Sequence, residues 1–343
     1  MNAARYDGKQ SILVEDRPGI EPGPDEVRLA VSLCGICGTD LHFYSGRWPQ
    51  PEFTPGHEIA GAIDAVGPGV GGWLPGDRVC VDPSLSCGKC AFCHRGETNR
   101  CQDFQFISIH RAGGMASHLV VPTSCLHRIP DSMSDSLAAL VEPLAVGVHA
   151  IRIASLAHDE TVVICGLGAI GLACVAAARE AGAGPIIASG RYPHQREAAA
   201  RLGAVPVAPE DLEAAVANAT HGVGADIAFE TVGGAGQAVG QAIGAVRAGG
   251  AVVLVGGFTR PASIHLWRVV SREIRLLGAN CYSRDRSPTD FEKAMDLAEP
   301  GRFRLDELVT HRIPLAEVAK AFQLSSDKSS GAIKVQLECT AAG

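Results

Sequence analysis

A chain of 343 residues with 46% apolar residues, 20% charged residues and a mean hydropathy of +0.13 can bury two ordinary cores and is too apolar to remain disordered. Its net charge of −7, with arginines scattered rather than gathered on one face, argues against nucleic acid as the main partner. The N-terminal sequence lacks the apolar run of a signal peptide and no segment approaches about 18 uncharged apolar residues, so a cytoplasmic protein without a membrane partner is expected. In that reducing compartment, 12 cysteines read as metal ligands or buried thiols rather than a disulfide framework.

From Glu26 to Leu33 the apolar residues alternate as Val27, Leu29, Val31 and Leu33, the period of a half-buried strand, which delivers the chain to Cys34 and Cys37. The stretch from there to Glu58 carries a thiol at Cys37, then Thr39, Asp40 and His42, then the pair His57-Glu58. A thiolate, an imidazole and a carboxylate suit a catalytic zinc, which keeps three protein ligands and one open position. The alternative makes Cys37 a small buried hydrophobe and His57 a core histidine; the metal and nucleotide signals downstream weigh against it.

The run I-A-G-A-I-D-A-V-G, the Pro75-Gly76-Asp77 turn and Arg78-Val79-Cys80-Val81 then suggest short strands in an irregular β-barrel-like domain over roughly the first 145 residues. Within it, C-G-K-C-A-F-C-H-R-G-E-T-N-R-C sets Cys87, Cys90 and Cys93 at every third position, and Cys101 closes a tetrahedron. This predicts a closed four-thiolate structural zinc that fixes a lobe. Disulfides are disfavoured by the spacing and compartment, and an iron–sulfur cluster would need its own redox partner. Next, G-G-M-A-S-H-L-V-V-P reads as a strand entering a turn, and E-P-L-A-V-G-V-H-A carries Glu142 among apolar residues. That carboxylate either caps a helix or reaches the metal, and the metal is favoured.

At Glu160 the pattern changes. T-V-V-I-C, the turn Gly166-Leu167-Gly168-Ala169-Ile170-Gly171 and an alanine-rich helix form a strand-turn-helix unit whose free N–H groups suit a pyrophosphate. The next strand, Pro185 to Ser189, ends in Gly190-Arg191 with Arg196 beyond, where an NAD site usually has an acid about twenty residues past the glycines. Without that carboxylate, and with Arg191 able to grip a 2′-phosphate, NADP(H) is predicted over NAD(H); the alternative is that Arg191 merely faces solvent. Further units follow around Asp226 to Gly233, after an Ala248-Gly249-Gly250 turn, and at I-R-L-L-G-A-N, making a doubly wound parallel sheet with Thr231-Val232 and Gly256-Gly257 at strand ends. The segments D-F-E-K-A-M-D-L-A and G-A-I-K-V-Q-L are expected as a helix and a strand returning to the first domain.

Together C-G-I-C-G-T-D-L-H, G-H-E, the four-cysteine lobe, G-D-R-V, E-P-L-A-V-G-V-H-A and the glycine fingerprint resemble the zinc-dependent medium-chain dehydrogenase/reductase family over essentially the whole chain. The glutamate in E-P-L-A-V-G-V-H-A, where the liver type of alcohol dehydrogenase has a cysteine, is similar to the sorbitol and threonine dehydrogenase branch. The resemblance implies an α/β protein. It has a chaperonin-10-like irregular β-barrel catalytic domain over residues 1–145 and 283–343, and a doubly wound Rossmann domain over residues 146–282. It also implies two zincs per chain, the catalytic one held by Cys37, His57 and Glu58 with Glu142 ligating directly or through water, and a proton relay of Thr39 and His42.

The activity implied is hydride transfer between NADP(H) and a primary or secondary alcohol or its carbonyl, with zinc polarising the oxygen. The sequence departs from polyol dehydrogenases at Asn280-Cys281-Tyr282, where they tend to have an arginine next to a tyrosine, which puts a sorbitol-like substrate in doubt. Phe43, Trp48, His110, His118 and Tyr282 are candidate pocket residues, and edge strands of such sheets commonly pair, so a homodimer or homotetramer is expected. The rival readings are a zinc-free quinone or enone reductase, a nucleotide-retaining lyase or dismutase, and a non-catalytic binding protein on the same scaffold.

Overall fold

The strand that begins at Glu26 runs to Gly35 and buries Val27, Leu29, Val31 and Leu33, as its alternation requires. It is central to one of two units in the computed structural model, which describes residues 1–340. The first unit comprises Met1–Glu142, Arg284–Ser287 and residues 298–340; the second comprises Pro143–Ser283 and Pro288–Leu297.

In the first unit a seven-stranded sheet has the order Val309–Pro314, Lys334–Glu338, Glu26–Gly35, Glu58–Val66, Arg78–Val81, Leu126–Arg128, with His118–Pro122 also paired to Glu26–Gly35. The ladders are antiparallel except for the parallel first pair. Two register shifts between Glu26–Gly35 and Glu58–Val66 bend the sheet, the irregularity that the short, glycine-punctuated strands imply. Gly35 lies opposite Glu58 in that ladder, and a Cβ at Gly35 would fall 1.9 Å from the Glu58 carboxylate, so only glycine lets this side chain lie across the strand.

The second unit is a six-stranded, all-parallel sheet in the order Val205–Val207, Ile186–Ser189, Val162–Cys165, Ala225–Glu230, Val246–Leu254, Arg275–Gly278. Its first two strands, Val162–Cys165 and Ile186–Ser189, are buried throughout, as expected for strands covered by helices on both faces. The order reverses beside Val162–Cys165, the kind of switch point at which doubly wound sheets bind ligands.

Two expectations are corrected. Ala248-Gly249-Gly250 does not precede a strand but lies within one, Val246–Leu254, where Gly249 at φ +71° accompanies a register shift against Ala225–Glu230. The helix Asp290–Leu297 belongs to the second unit rather than the first. Its buried Asp290 accepts hydrogen bonds from Arg152 Nε and from the Ser283 N–H at 2.7 and 2.9 Å and lies 2.7 Å from His149 Nδ1, side-chain ties that a periodicity reading does not see. The strand Lys334–Glu338 does pair within the first unit. No helix among the described residues is long and apolar enough to cross a membrane.

Candidate active site

Cys37 is the N-cap of the helix Gly38–Tyr44, its extended backbone turned so that its N–H donates to Asp40 Oδ2 at 2.9 Å. The helix places Asp40 inward at 1% exposure, where burial raises its carboxyl against the opposing charge of His57. His57 and Glu58 stand at the start of the neighbouring strand, both buried. Ligand atoms of Cys37, His57 and Glu58 all lie within 4.8 Å of one another, close enough to converge on one ion. Burial, and then the charge of Glu58, pushes the Cys37 thiol up to about 11, a cost that a bound cation would reverse.

Glu142 stands outside that set of three. It nevertheless responds to the same centre: burial pushes it up to about 8, with the charge of His57 pulling down and those of Cys37 and Glu58 pushing up. Thr39 is half-buried on the same helix, and its N–H faces the Cys37 sulfur and lowers that thiol. His42 packs against Trp48 with ring centroids 4.6 Å apart and the planes tilted at 44°; its Nδ1 is buried without a hydrogen-bond partner among the described residues. Burial, then Arg47 and Lys328, hold His42 below its usual value.

Two residues at this site escaped the sequence reading. Lys334 Nζ donates to both Glu58 oxygens at 2.5 and 2.7 Å and to the Ile36 carbonyl at 3.1 Å. Ser108 Oγ lies 3.2 Å from His57 Nδ1. The signal for Lys334 was a charged residue in a strand otherwise fit for a core. Of the suggested pocket residues, Phe43 and Tyr282 are buried in aromatic packing, His110 Nδ1 accepts from the Phe106 N–H, and His118 Nε2 lies 3.5 Å from Asp64.

The four-cysteine segment folds as a loop with two short 3-10 turns, and its sulfurs converge. Cys90–Cys93, Cys87–Cys93 and Cys90–Cys101 are separated by 3.5, 3.9 and 4.0 Å. A tetrahedron with Zn–S bonds of about 2.3 Å has edges of about 3.8 Å, so the lobe is shaped for that ion. Backbone N–H groups, that of Gln102 first, lower Cys90 to about 6, so one thiolate is already favoured.

In the second unit, Gly166 turns at φ +105°, a region that suits glycine. A Cβ at Gly171 would fall 1.9 Å from the Gly166 carbonyl, whereas one at Gly168 would meet nothing within 4 Å. Close helix–strand packing and open space thus occur where the fingerprint needs each. Ala169 and Ile170 open the helix Ala169–Glu180. Thr231 Oγ1 donates to the Gly166 carbonyl at 2.9 Å, and Glu230 Oε1 accepts from the Val232 and Gly233 N–H groups, while Gly256 packs on Gly233 and Gly257 crosses it. Gly190 is buried against Leu167, whose terminal methyl lies 2.7 Å from where a Cβ would stand, so a side chain at that position requires Leu167 to shift. Arg196 Nη1 donates to the Gly190 and Arg191 carbonyls at 2.8 and 2.9 Å, which leaves Arg191, exposed, as the freer cation.

A thiolate–imidazole–carboxylate cluster in a bent antiparallel sheet, a thiolate lobe and a glycine-turn parallel sheet define a zinc-type dehydrogenase. Residues 23–131 match the alcohol dehydrogenase GroES-like domain and residues 169–299 the zinc-binding dehydrogenase family. The chain belongs to the zinc-dependent medium-chain dehydrogenase/reductase family, in its sorbitol/threonine dehydrogenase-like branch, and is an enzyme of the zinc alcohol dehydrogenase class. It is 36% identical to a 2-dehydro-3-deoxy-L-galactonate 5-dehydrogenase of Pseudoalteromonas atlantica, with 99% of each chain covered. It is 32% identical to a sorbitol dehydrogenase of Bacillus subtilis, with 98% of this chain and 97% of that one covered. Among solved structures, a protein described as a zinc-binding dehydrogenase from Sinorhizobium meliloti, bound to NADP, superposes with a TM-score of 0.89 at 34% identity over 98% of each chain.

Proposed function

We propose that this protein is an NADP(H)-dependent dehydrogenase that interconverts a secondary alcohol of a small polar molecule and its ketone. The convergence of Cys37, His57 and Glu58 carries this reading. These three residues hold the catalytic zinc, with Glu142 beside them as an additional ligand, direct or through water; Cys87, Cys90, Cys93 and Cys101 hold a structural zinc. When bound, the catalytic zinc supplies a Lewis acid for the substrate oxygen.

The chain's own groups do the rest. Thr39 relays the alcohol proton, accepting it on Oγ1 as it gives up its own, and His42, whose Nδ1 has no partner among the described residues, is the base that takes the relayed proton and releases it to water. Lys334 neutralises Glu58 when the metal does not. In the second unit Gly166, Gly168, Ala169, Ile170 and Gly171 present the helix N-terminus to the pyrophosphate, and Thr231, Val232, Gly256 and Gly257 shape the strand-end floor. Arg191 receives the 2′-phosphate, and Arg196 holds the carbonyls that position it. The NADP-bound neighbour and the missing acid at Gly190 support this choice of nucleotide. The similarity to dehydrogenases named for sugar acids and polyols supports a secondary alcohol, while Asn280-Cys281 speaks against sorbitol itself.

A homo-oligomer is part of the same reading, supported by exposed Leu266, Trp267 and Val270 just before the edge strand Arg275–Gly278. The test is a set of initial rates with NADPH and NADH on a panel of ketones, sugar acids and polyols. Turnover of secondary-alcohol couples with NADPH preferred is expected. No hydride transfer to any carbonyl by zinc-loaded protein would overturn the reading.

A further inference from the structure

We infer that Ser108 is a positioning residue for the catalytic metal: its hydroxyl holds the His57 imidazole so that Nε2 is presented as the ligand. The inference rests on the zinc reading above and adds a residue to it. Ser108 is 2% exposed and adopts φ +84°, a left-handed conformation that a side chain disfavours and glycine adopts freely. Nothing in the loop's backbone pairing needs a serine there. The Ser108 N–H donates to the Arg111 carbonyl at 2.9 Å and the Ile107 N–H to the Pro83 carbonyl at 3.0 Å, bonds that glycine would make equally well. What serine adds is Oγ, 3.2 Å from His57 Nδ1. A strained backbone that endures in a buried loop, with its one distinctive atom against a candidate ligand, is the pattern of a constrained site.

The chemistry fixes the direction of the bond. Ligation through Nε2 leaves the proton on Nδ1, which then donates to the Ser108 hydroxyl oxygen. The same loop sets the plane of the ring: Phe106 meets the His57 imidazole edge-on, with centroids 5.1 Å apart. Phe106 and Ser108 thus constrain the imidazole from two sides, one by packing and one by a hydrogen bond. Loss of such an outer hydrogen bond typically weakens metal affinity by about 10–100-fold.

The test separates hydroxyl from strain with two variants, Ser108→Gly and Ser108→Ala. Zinc affinity is measured by chelator competition, alongside the thermal unfolding midpoint and the absorption of cobalt-substituted protein. Ser108→Gly is expected to unfold no lower than wild type, because its backbone suits the turn, yet to release the catalytic metal about 10–100-fold more readily and to alter the cobalt spectrum. Ser108→Ala should show the same metal defect while keeping the strained backbone. Wild-type affinity and spectrum in a folded Ser108→Gly protein would overturn the assignment. If wild-type protein carried no metal that Cys37→Ala removes, the zinc reading itself would fall, and this inference with it.

Discussion

Lys334 and Glu58, 276 positions apart in sequence, form a buried ion pair in which the ammonium meets both carboxylate oxygens at 2.5 and 2.7 Å, the two side chains being 3% and 0% exposed. Burial alone would pull Lys334 down, but the charges of Glu58 and then Cys37 hold it above its ordinary value. The pair therefore gives a candidate zinc ligand a buried cationic partner in the absence of metal. In metal-depleted protein, Lys334→Met is expected to lower unfolding stability by about 3–5 kcal/mol, since it leaves a buried charge without a partner. The double variant with Glu58→Gln should recover much of that loss. Urea unfolding of the four proteins checks this, and additive losses would show that the two residues do not interact.

Glu142 gives the metal-free site a pH dependence whose sign is fixed. Its folded value of about 8 lies above the ordinary 4.5, so the fold favours the protonated form. That contribution is fully present below the unfolded value and fades as pH rises through about 8. Relative to Glu142→Gln, wild-type protein without metal should lose stability steadily across that window, by on the order of a few kcal/mol at about 1.4 kcal/mol per unit. Zinc should flatten the difference by favouring the carboxylate. A flat difference without metal would contradict the placement of Glu142 in this buried, charged setting.

The thiolate lobe should behave as an independent metal site. Cys90→Ser is expected to remove one zinc and to increase proteolysis between Cys87 and Cys101, while the other metal stays. Metal analysis with limited proteolysis checks this; unchanged zinc content would mean that the sulfurs converge without holding an ion.

Nucleotide choice is best tested at Arg191 alone, because any side chain placed at Gly190 would also displace Leu167, whose terminal methyl lies 2.7 Å from where its Cβ would stand. Arg191→Ala is expected to cut the NADPH-over-NADH preference in kcat/KM about 10–100-fold, the worth of a charge-assisted hydrogen bond. An unchanged ratio would place Arg191 in solvent.

The parts of this molecule readable in one dimension are those whose chemistry is local. Cys87, Cys90 and Cys93 converge because a single loop carries them, and the turn from Gly166 to Gly171 is specified by backbone freedom and close packing within six residues of sequence. Alternation likewise marked the strand that carries the chain to Cys37. What stayed hidden depends on pairing at a distance. Lys334 reaches Glu58 only because its strand lies beside Glu26–Gly35, and Ser108 meets His57 across 51 positions through a left-handed turn that no spacing announces. Asp290–Leu297 had the right helical period and the wrong destination, because the period says nothing of Arg152 and His149.

The central claim, that Cys37, His57 and Glu58 hold the metal on which hydride transfer depends, is tested most directly by Cys37→Ala. Zinc content and NADPH binding are measured on the same samples as single-turnover NADPH oxidation by a ketone. Wild-type protein is expected to carry two zincs, and the variant to carry one, to bind NADPH normally and to transfer no hydride. A variant that kept both metals, or that reduced the ketone at the wild-type rate, would contradict it.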